Sequence, residues 1–185
     1  MRRPVALAIL AVVLAGCAIH PSDRSESVTD QDVPYALLDP HAPPVVAVPG
    51  GTAISICLVA DDHLVVGQRE LDKTPKLLDI LRSLGAVTDQ EAARGLGTAL
   101  SSVELITDVT LAGGTATVHL ADGATKNLAP DPLTGTAQIV CTLTNQPGVG
   151  LVRFEVSGNA VDVPRADGSL TGAPVTRDDY STLLQ

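Results

Sequence analysis

The stretch Ala137-Gln138-Ile139-Val140-Cys141-Thr142-Leu143-Thr144 constrains this chain most, because it carries no charge and is stopped at Pro147-Gly148. A segment this apolar must be covered on folding, so the rest of the chain has to supply the layer that covers it. Leu133, Ala137, Val140, Cys141 and Thr144 fall on one helical face, although Ile139, Val140 and Thr142 have strand propensity. Beyond it, Leu151–Val156 alternates as a strand, and Gly158-Asn159 predicts a turn into a second strand over Ala160–Val163.

At the other end, Arg2-Arg3 precede an almost purely apolar run from Val5 to Leu14, then Ala15-Gly16-Cys17. A basic start, a short apolar core and small residues before a cleavage point form a secretory signal, too short for an ordinary spanning helix. Cysteine directly after Leu14-Ala15-Gly16 resembles the lipobox of bacterial lipoproteins. That resemblance implies cleavage after residue 16, a diacylglyceryl thioether on Cys17 and acylation of the new amine by a palmitate-type chain. The expected location is the extracytoplasmic face of the cell membrane, held by acyl chains without a spanning helix. The plainer alternative is an ordinary signal peptide or a buried apolar strand.

Residues 17–51 show no sustained periodicity: serines and acids come first, then Pro34, Pro40, Pro43, Pro44 and Pro49. This predicts a Pro-stiffened stalk, with one folded domain over 52–182. Loss of Arg2 and Arg3 from 12 basic residues, against 21 acidic ones, leaves a formal charge of −11. Such a balance repels phosphates, so nucleic acid is not an expected partner. Three aromatic residues, Tyr35, Phe154 and Tyr180, leave the core to Leu, Val, Ile and Ala and argue against sugar stacking.

With Cys17 assigned to lipid, Cys57 and Cys141 remain as an even pair in a disulfide-permissive compartment. They form either a bridge pinning helix to sheet or two buried thiols that never meet.

Within the domain, Ala53–Val59 and His63–Leu71 read as two strands around an Asp61-Asp62 turn. Asp61, Asp62 and His63 are read as a solvated tip rather than a metal site. Thr74-Pro75 predicts a helix start, with Leu77, Leu78, Leu81 and Leu84 on one face and Gly85 as its stop. Thr88-Asp89-Gln90-Glu91 is a capping box. Leu105–Ala112 and Thr115–Leu120 form a hairpin through Gly113-Gly114, with Ala116, Val118 and Leu120 inward and Thr115, Thr117 and His119 outward. Tyr180 is expected to pack back on the domain.

No Gly-x-Ser-x-Gly elbow, phosphate-binding glycine loop, His-Glu-x-x-His or Cys-x-x-Cys occurs, and the four histidines are scattered. No catalytic residue, metal or cofactor is expected from these motifs.

Leu64–Arg69, the leucine-rich helix, Thr88–Leu100 and Ala137–Val163 stand in the order found in GerMN domains, and Val175–Tyr180 resembles the ending of actinobacterial lipoproteins that carry one. The segment Leu81–Val87 departs from the family, which more often has a leucine pair followed by Gly-Pro. The resemblance implies an α+β module, a compact mixed sheet with two main helices packed on one face, similar to ring-building modules. It implies a non-enzymatic protein-binding or scaffolding part of sporulation, germination or envelope machinery. The expected partner is an envelope protein, or a second copy, met at a sheet edge or at the face of Thr115, Thr117 and His119. An envelope small-ligand carrier, or an enzyme acting on a wall precursor, is the alternative.

Overall fold

Two antiparallel strands, β1 (Thr52–Ala60) and β2 (His63–Leu71), open the folded part of a computed structural model that describes residues 51–71 and 73–185. The signal, Cys17 and nearly all of the stalk lie outside those residues; the described ones belong to the compact unit Val46–Gln185. Asp61 and Asp62 sit at φ 46° and 67°, a two-residue turn in the left-handed φ region whose twist matches the right-handed twist of the strands it joins. Ile56, Cys57 and Leu58 are buried in succession, so both faces of β1 are covered.

The first helix, α1 (Leu77–Ser83), begins later than Thr74-Pro75 suggests. The Asp79 carboxylate accepts a hydrogen bond from the Lys76 amide at 3.1 Å, and this fixes Lys76 as the cap. Nor is Gly85 a left-handed stop. Leu84 closes the helix in a right-handed conformation, and a Cβ on Gly85 would lie 2.5 Å from Val103 Cγ2. A short helix α2 (Asp89–Ala93) follows, closed by Thr88 and Glu91 as a capping box.

A mixed sheet comes next: β3 (Ile106–Ala112), β4 (Thr115–Leu120), β5 (Leu151–Val156) and β6 (Asn159–Ala160), in that spatial order. Gly113 and Gly114, at φ 56° and 80°, make the β3–β4 turn. β4 and β5 are parallel and need a crossover, which carries α3 (Ala124–Asn127) and α4 (Pro132–Thr144).

α4 is capped by Asp131, whose carboxylate accepts from the Leu133 and Thr134 amides, and Pro132 occupies its first turn. Bonds from the Thr134 hydroxyl and these amides outweigh burial and hold the Asp131 carboxyl below its ordinary range. Every residue from Gly135 to Leu143 is buried. The one-sided face read from Leu133, Ala137, Val140, Cys141 and Thr144 is therefore too narrow. α4 is the centre of the domain, packed by the β1–β2 hairpin, β5, α1 and the C-terminal turns.

The last hairpin also differs from the pattern. Its left-handed residues are Ser157 (φ 50°) and Gly158 (φ 77°), and β6 stops at Ala160. The chain then leaves the sheet, and β7 (Val163–Pro164) pairs with β8 (Leu170–Thr171). Tyr180 is buried in a final run of 3₁₀ turns (Arg177–Leu183), its hydroxyl donating to Pro164 O at 2.9 Å. Burial, helped by the Asp179 charge, pushes its phenol well above the ordinary value.

Gly135 lets α4 approach the segment before it, since a Cβ there would lie 2.4 Å from Ala129 Cβ. Gly135→Ala should therefore destabilise the domain by about 1–3 kcal/mol through overpacking, read as a lower midpoint in denaturant unfolding.

Candidate functional site

The face named by Thr115, Thr117 and His119 belongs to β4, an inner strand, and the register fills it from both neighbours. Thr117 lies between Thr110 and Arg153, and His119 between Asp108 and Glu155. Behind it, Ala116, Val118, Val152 and Phe154 are buried in the core, while Asp108, Thr110, Ala112 and Leu151 on this side are exposed. His119 is held in place: its Nε2 is 3.1 Å from the Thr110 hydroxyl and its Nδ1 is 3.8 Å from Glu155 Oε2. Arg153 is not. Its buried Nε has no hydrogen-bond partner, and no carboxylate among the described residues pairs with it. The result is a polar surface with one uncommitted guanidinium near its middle.

β3 is an edge strand of this sheet. Asp108 Oδ1 accepts from the adjacent Val109 amide at 2.8 Å, which blunts the edge for pairing with another strand.

A polar seam that the helical pattern alone does not reveal ties α4 to the other sheet, the β1–β2 hairpin. β1 pairs with β2 along one edge; along its other edge Val59 exchanges backbone bonds with Gly97, while at Ser55 and Cys57 side chains stand where a strand would supply backbone. Gln138 Nε2 donates to Cys57 O at 2.9 Å, the Cys57 amide donates to Thr142 Oγ1 at 3.0 Å, and Gln146 Nε2 donates to Ser55 O at 2.7 Å. Gln138 Oε1 also accepts from the Ala99 amide at 2.8 Å. Gln138 and Thr142 are one turn apart on α4, Gln146 continues the same four-residue spacing just past its end, and that spacing was visible in the sequence. Cys57 and Cys141 are disulfide-bonded in the same seam, with Cα atoms 5.9 Å apart. Asn145 Nδ2 donates toward Cys57 Sγ at 3.3 Å, and Arg177 Nη1 donates to Asn145 Oδ1 at 2.8 Å.

A second buried tie is the bidentate pair of Arg69 on β2 with Glu91 on α2, at 2.6 and 3.1 Å. Arg69 also donates to the carbonyls of Ser83 and Ala86, satisfying the exit of α1. Burial works to raise the Glu91 carboxyl, but Arg69 and the Thr88 amide outweigh it and hold the group below its ordinary value.

Other polar groups do not converge. His63 Nδ1 turns back to Asp61 O at 2.9 Å, and among the described residues no cluster of three or more His, Cys, Asp or Glu side chains could hold a metal. A surface depression of about 290 Å³ is lined by Arg165, Asp167, Asp178 and Asp179. Two of its acids are already engaged. Asp167 accepts from the Ser169 hydroxyl and amide, and Asp179 accepts from the Thr176 amide and lies 3.5 Å from Arg165.

The class defined by these features is an α+β module cross-linked through a central helix, with one polar sheet face left uncovered. The chain belongs to the Germane family, described as sporulation and spore germination, whose profile matches residues 42–162. Its fold is similar to the tandem GerMN domains of the sporulation protein GerM from Bacillus subtilis, with TM-score 0.58 and 21% identity over 74% of this chain. The chain spans 49% of that tandem structure. The first GerMN domain of GerM by itself matches with TM-score 0.51 and 15% identity, covering 69% of this chain and 98% of that domain. Among curated proteins none matches the chain.

Gln138→Leu should leave Cys57 O and the Ala99 amide without partners. It is expected to cost about 1–3 kcal/mol per orphaned group, measured by chemical unfolding with the disulfide intact. Because the folded-state Glu91 carboxyl is depressed, its contribution is complete above the ordinary value of 4.5 and is lost as pH falls through the lower folded value. Stability of wild type and Glu91→Gln, measured from pH 7 to pH 2, should therefore converge only below 4.5.

Proposed function

We propose that the protein is a membrane-anchored, extracytoplasmic lipoprotein whose GerMN domain is a protein-binding module of the cell envelope and carries no catalytic centre. The observation that carries this reading is the half-exposed face of Thr115, Thr117, His119 and Arg153, set side by side by the parallel β4–β5 register. A guanidinium without a counter-charge there supplies an anchor for a carboxylate or backbone carbonyl on the partner. The blunted β3 edge favours contact through this face over strand addition. Family membership supports a role tied to sporulation or germination machinery, or to an envelope process that uses the same module.

The lipobox ending at Cys17 supports anchoring. The small-ligand carrier receives less support, because in the depression beside Arg165 two of the three carboxylates, Asp167 and Asp179, are already bonded.

The test is crosslinking in cells from the full-length anchored chain, with recovered proteins identified by mass. Thr117→Arg and Arg153→Glu should each lower the yield of one reproducible envelope adduct roughly tenfold, the change expected from losing about 1.4 kcal/mol. Cys17→Ala should move the protein out of the membrane fraction. Adduct yields unchanged by both face variants would sink the assigned face.

A further inference from the structure

The bond between Cys57 and Cys141 lies where a second molecule has no way in. Cys57 is 0% exposed and Cys141 1%, each well inside its own element, β1 and α4. Gln138 and Thr142, which flank Cys141 along the helix, bond to the carbonyl and amide of Cys57. Asn145 donates toward Cys57 Sγ and is itself held by Arg177 from the C-terminal turns. Helix, strand and C-terminal turns thus close around the two sulfurs.

A disulfide is made by exchange, through an intermediate in which a sulfur of the chain is joined covalently to a sulfur of the oxidant. That intermediate needs room for the oxidant beside Cys57 or Cys141, and the closed seam provides none. The bond is therefore not one that the folded domain can make.

We propose that Cys57 and Cys141 are oxidised while α4 still stands off β1, so that thiol oxidation by a disulfide-bearing oxidant is the reaction that must precede closure of this domain. One cysteine thiolate attacks the oxidant's disulfide and displaces one of its sulfurs as a thiol. The second attacks the sulfur of the first, which joins Cys57 Sγ to Cys141 Sγ and releases the oxidant's other sulfur as a thiol. Two electrons and two protons pass from the chain to the oxidant.

An open chain can do this without choosing between partners. The sequence holds three cysteines, and the lipoprotein reading, on which this one point rests, commits the Cys17 sulfur to a thioether. Cys57 and Cys141 are then the two thiols left, so an early bond is the native bond. Joining residues with a sequence separation of 84 also shortens the search by which Gln138, Thr142 and Gln146 find the backbone of β1.

The test is an order-of-addition experiment on the full-length chain, purified in detergent, then reduced and unfolded. Oxidised glutathione is supplied either as refolding starts or after refolding without oxidant has run to its end. Free thiols are counted by maleimide labelling, and protease resistance reports whether the reduced chain has closed. Early addition should bridge the chain. Late addition should be at least about tenfold slower if the reduced chain has become protease-resistant, and equally fast if it has stayed open until bridged. Conversely, dithiothreitol should reduce the native bond at least about a hundredfold more slowly than the bond in denaturant. A protease-resistant reduced chain oxidised within tenfold of the unfolded rate, or a native bond reduced within a hundredfold of the rate in denaturant, overturns the proposal. Release of Cys17→Ala from the membrane enters neither measurement, so the anchor and the order of events can fail separately.

Discussion

A strand with only one strand partner must find hydrogen bonds for its other edge, and the way β1 does so governs the rest of this domain. Gln138, Thr142 and Gln146 reach out from α4 and just past its end to the backbone of Ser55 and Cys57, so a helix stands where a third strand would be. Buried amides and carbonyls left unpaired would cost about 1–3 kcal/mol each, which makes the match between helix and strand nearly all-or-none. The Cys57–Cys141 bond lies in the same seam and closes a loop with a sequence separation of 84. In the chain-entropy view a loop of that size contributes about 4–5 kcal/mol. Helix, hairpin and disulfide thus fix one another, and the four-stranded sheet is built outward from that block.

Much of this was legible in the sequence because it depends on local chemistry. Gly113-Gly114 announced its hairpin, Thr88 and Glu91 their capping box, and alternation along Thr115–Leu120 assigned the two faces of β4 correctly. Errors gathered where a distant neighbour decides. A glycine after a leucine-rich helix suggests a left-handed stop, yet Gly85 is there for Val103, eighteen positions away in the chain. Lys76 displaced Thr74 as the cap because Asp79 was the acid within reach. The strand expected over Ala160–Val163 divided between two sheets, because Val163 found its partner in Thr171 rather than on β5.

The polar face of β4 was half legible for the same reason. Strand periodicity placed Thr115, Thr117 and His119 together, but only the parallel register brings Arg153 and Glu155 alongside them from beyond a thirty-residue crossover. Polar residues inside an apolar helix were a signal of a different kind. Gln138, Thr142 and Gln146 share one stripe, and a buried stripe of amides and hydroxyls requires backbone partners. A search confined to catalytic motifs passes over it.

The placement of the disulfide also has a mechanical meaning. β1 begins directly after the segment that leads to the N-terminus, so tension on that segment pulls on Thr52 first. Peeling can proceed only as far as Cys57, where a covalent bond hands the load to the buried central helix. At roughly 3.3–3.6 Å per extended residue, the chain yields a couple of nanometres at most before it stops lengthening. A domain fastened this way bears force on its N-terminal side as a fixed bead and does not unravel from that end.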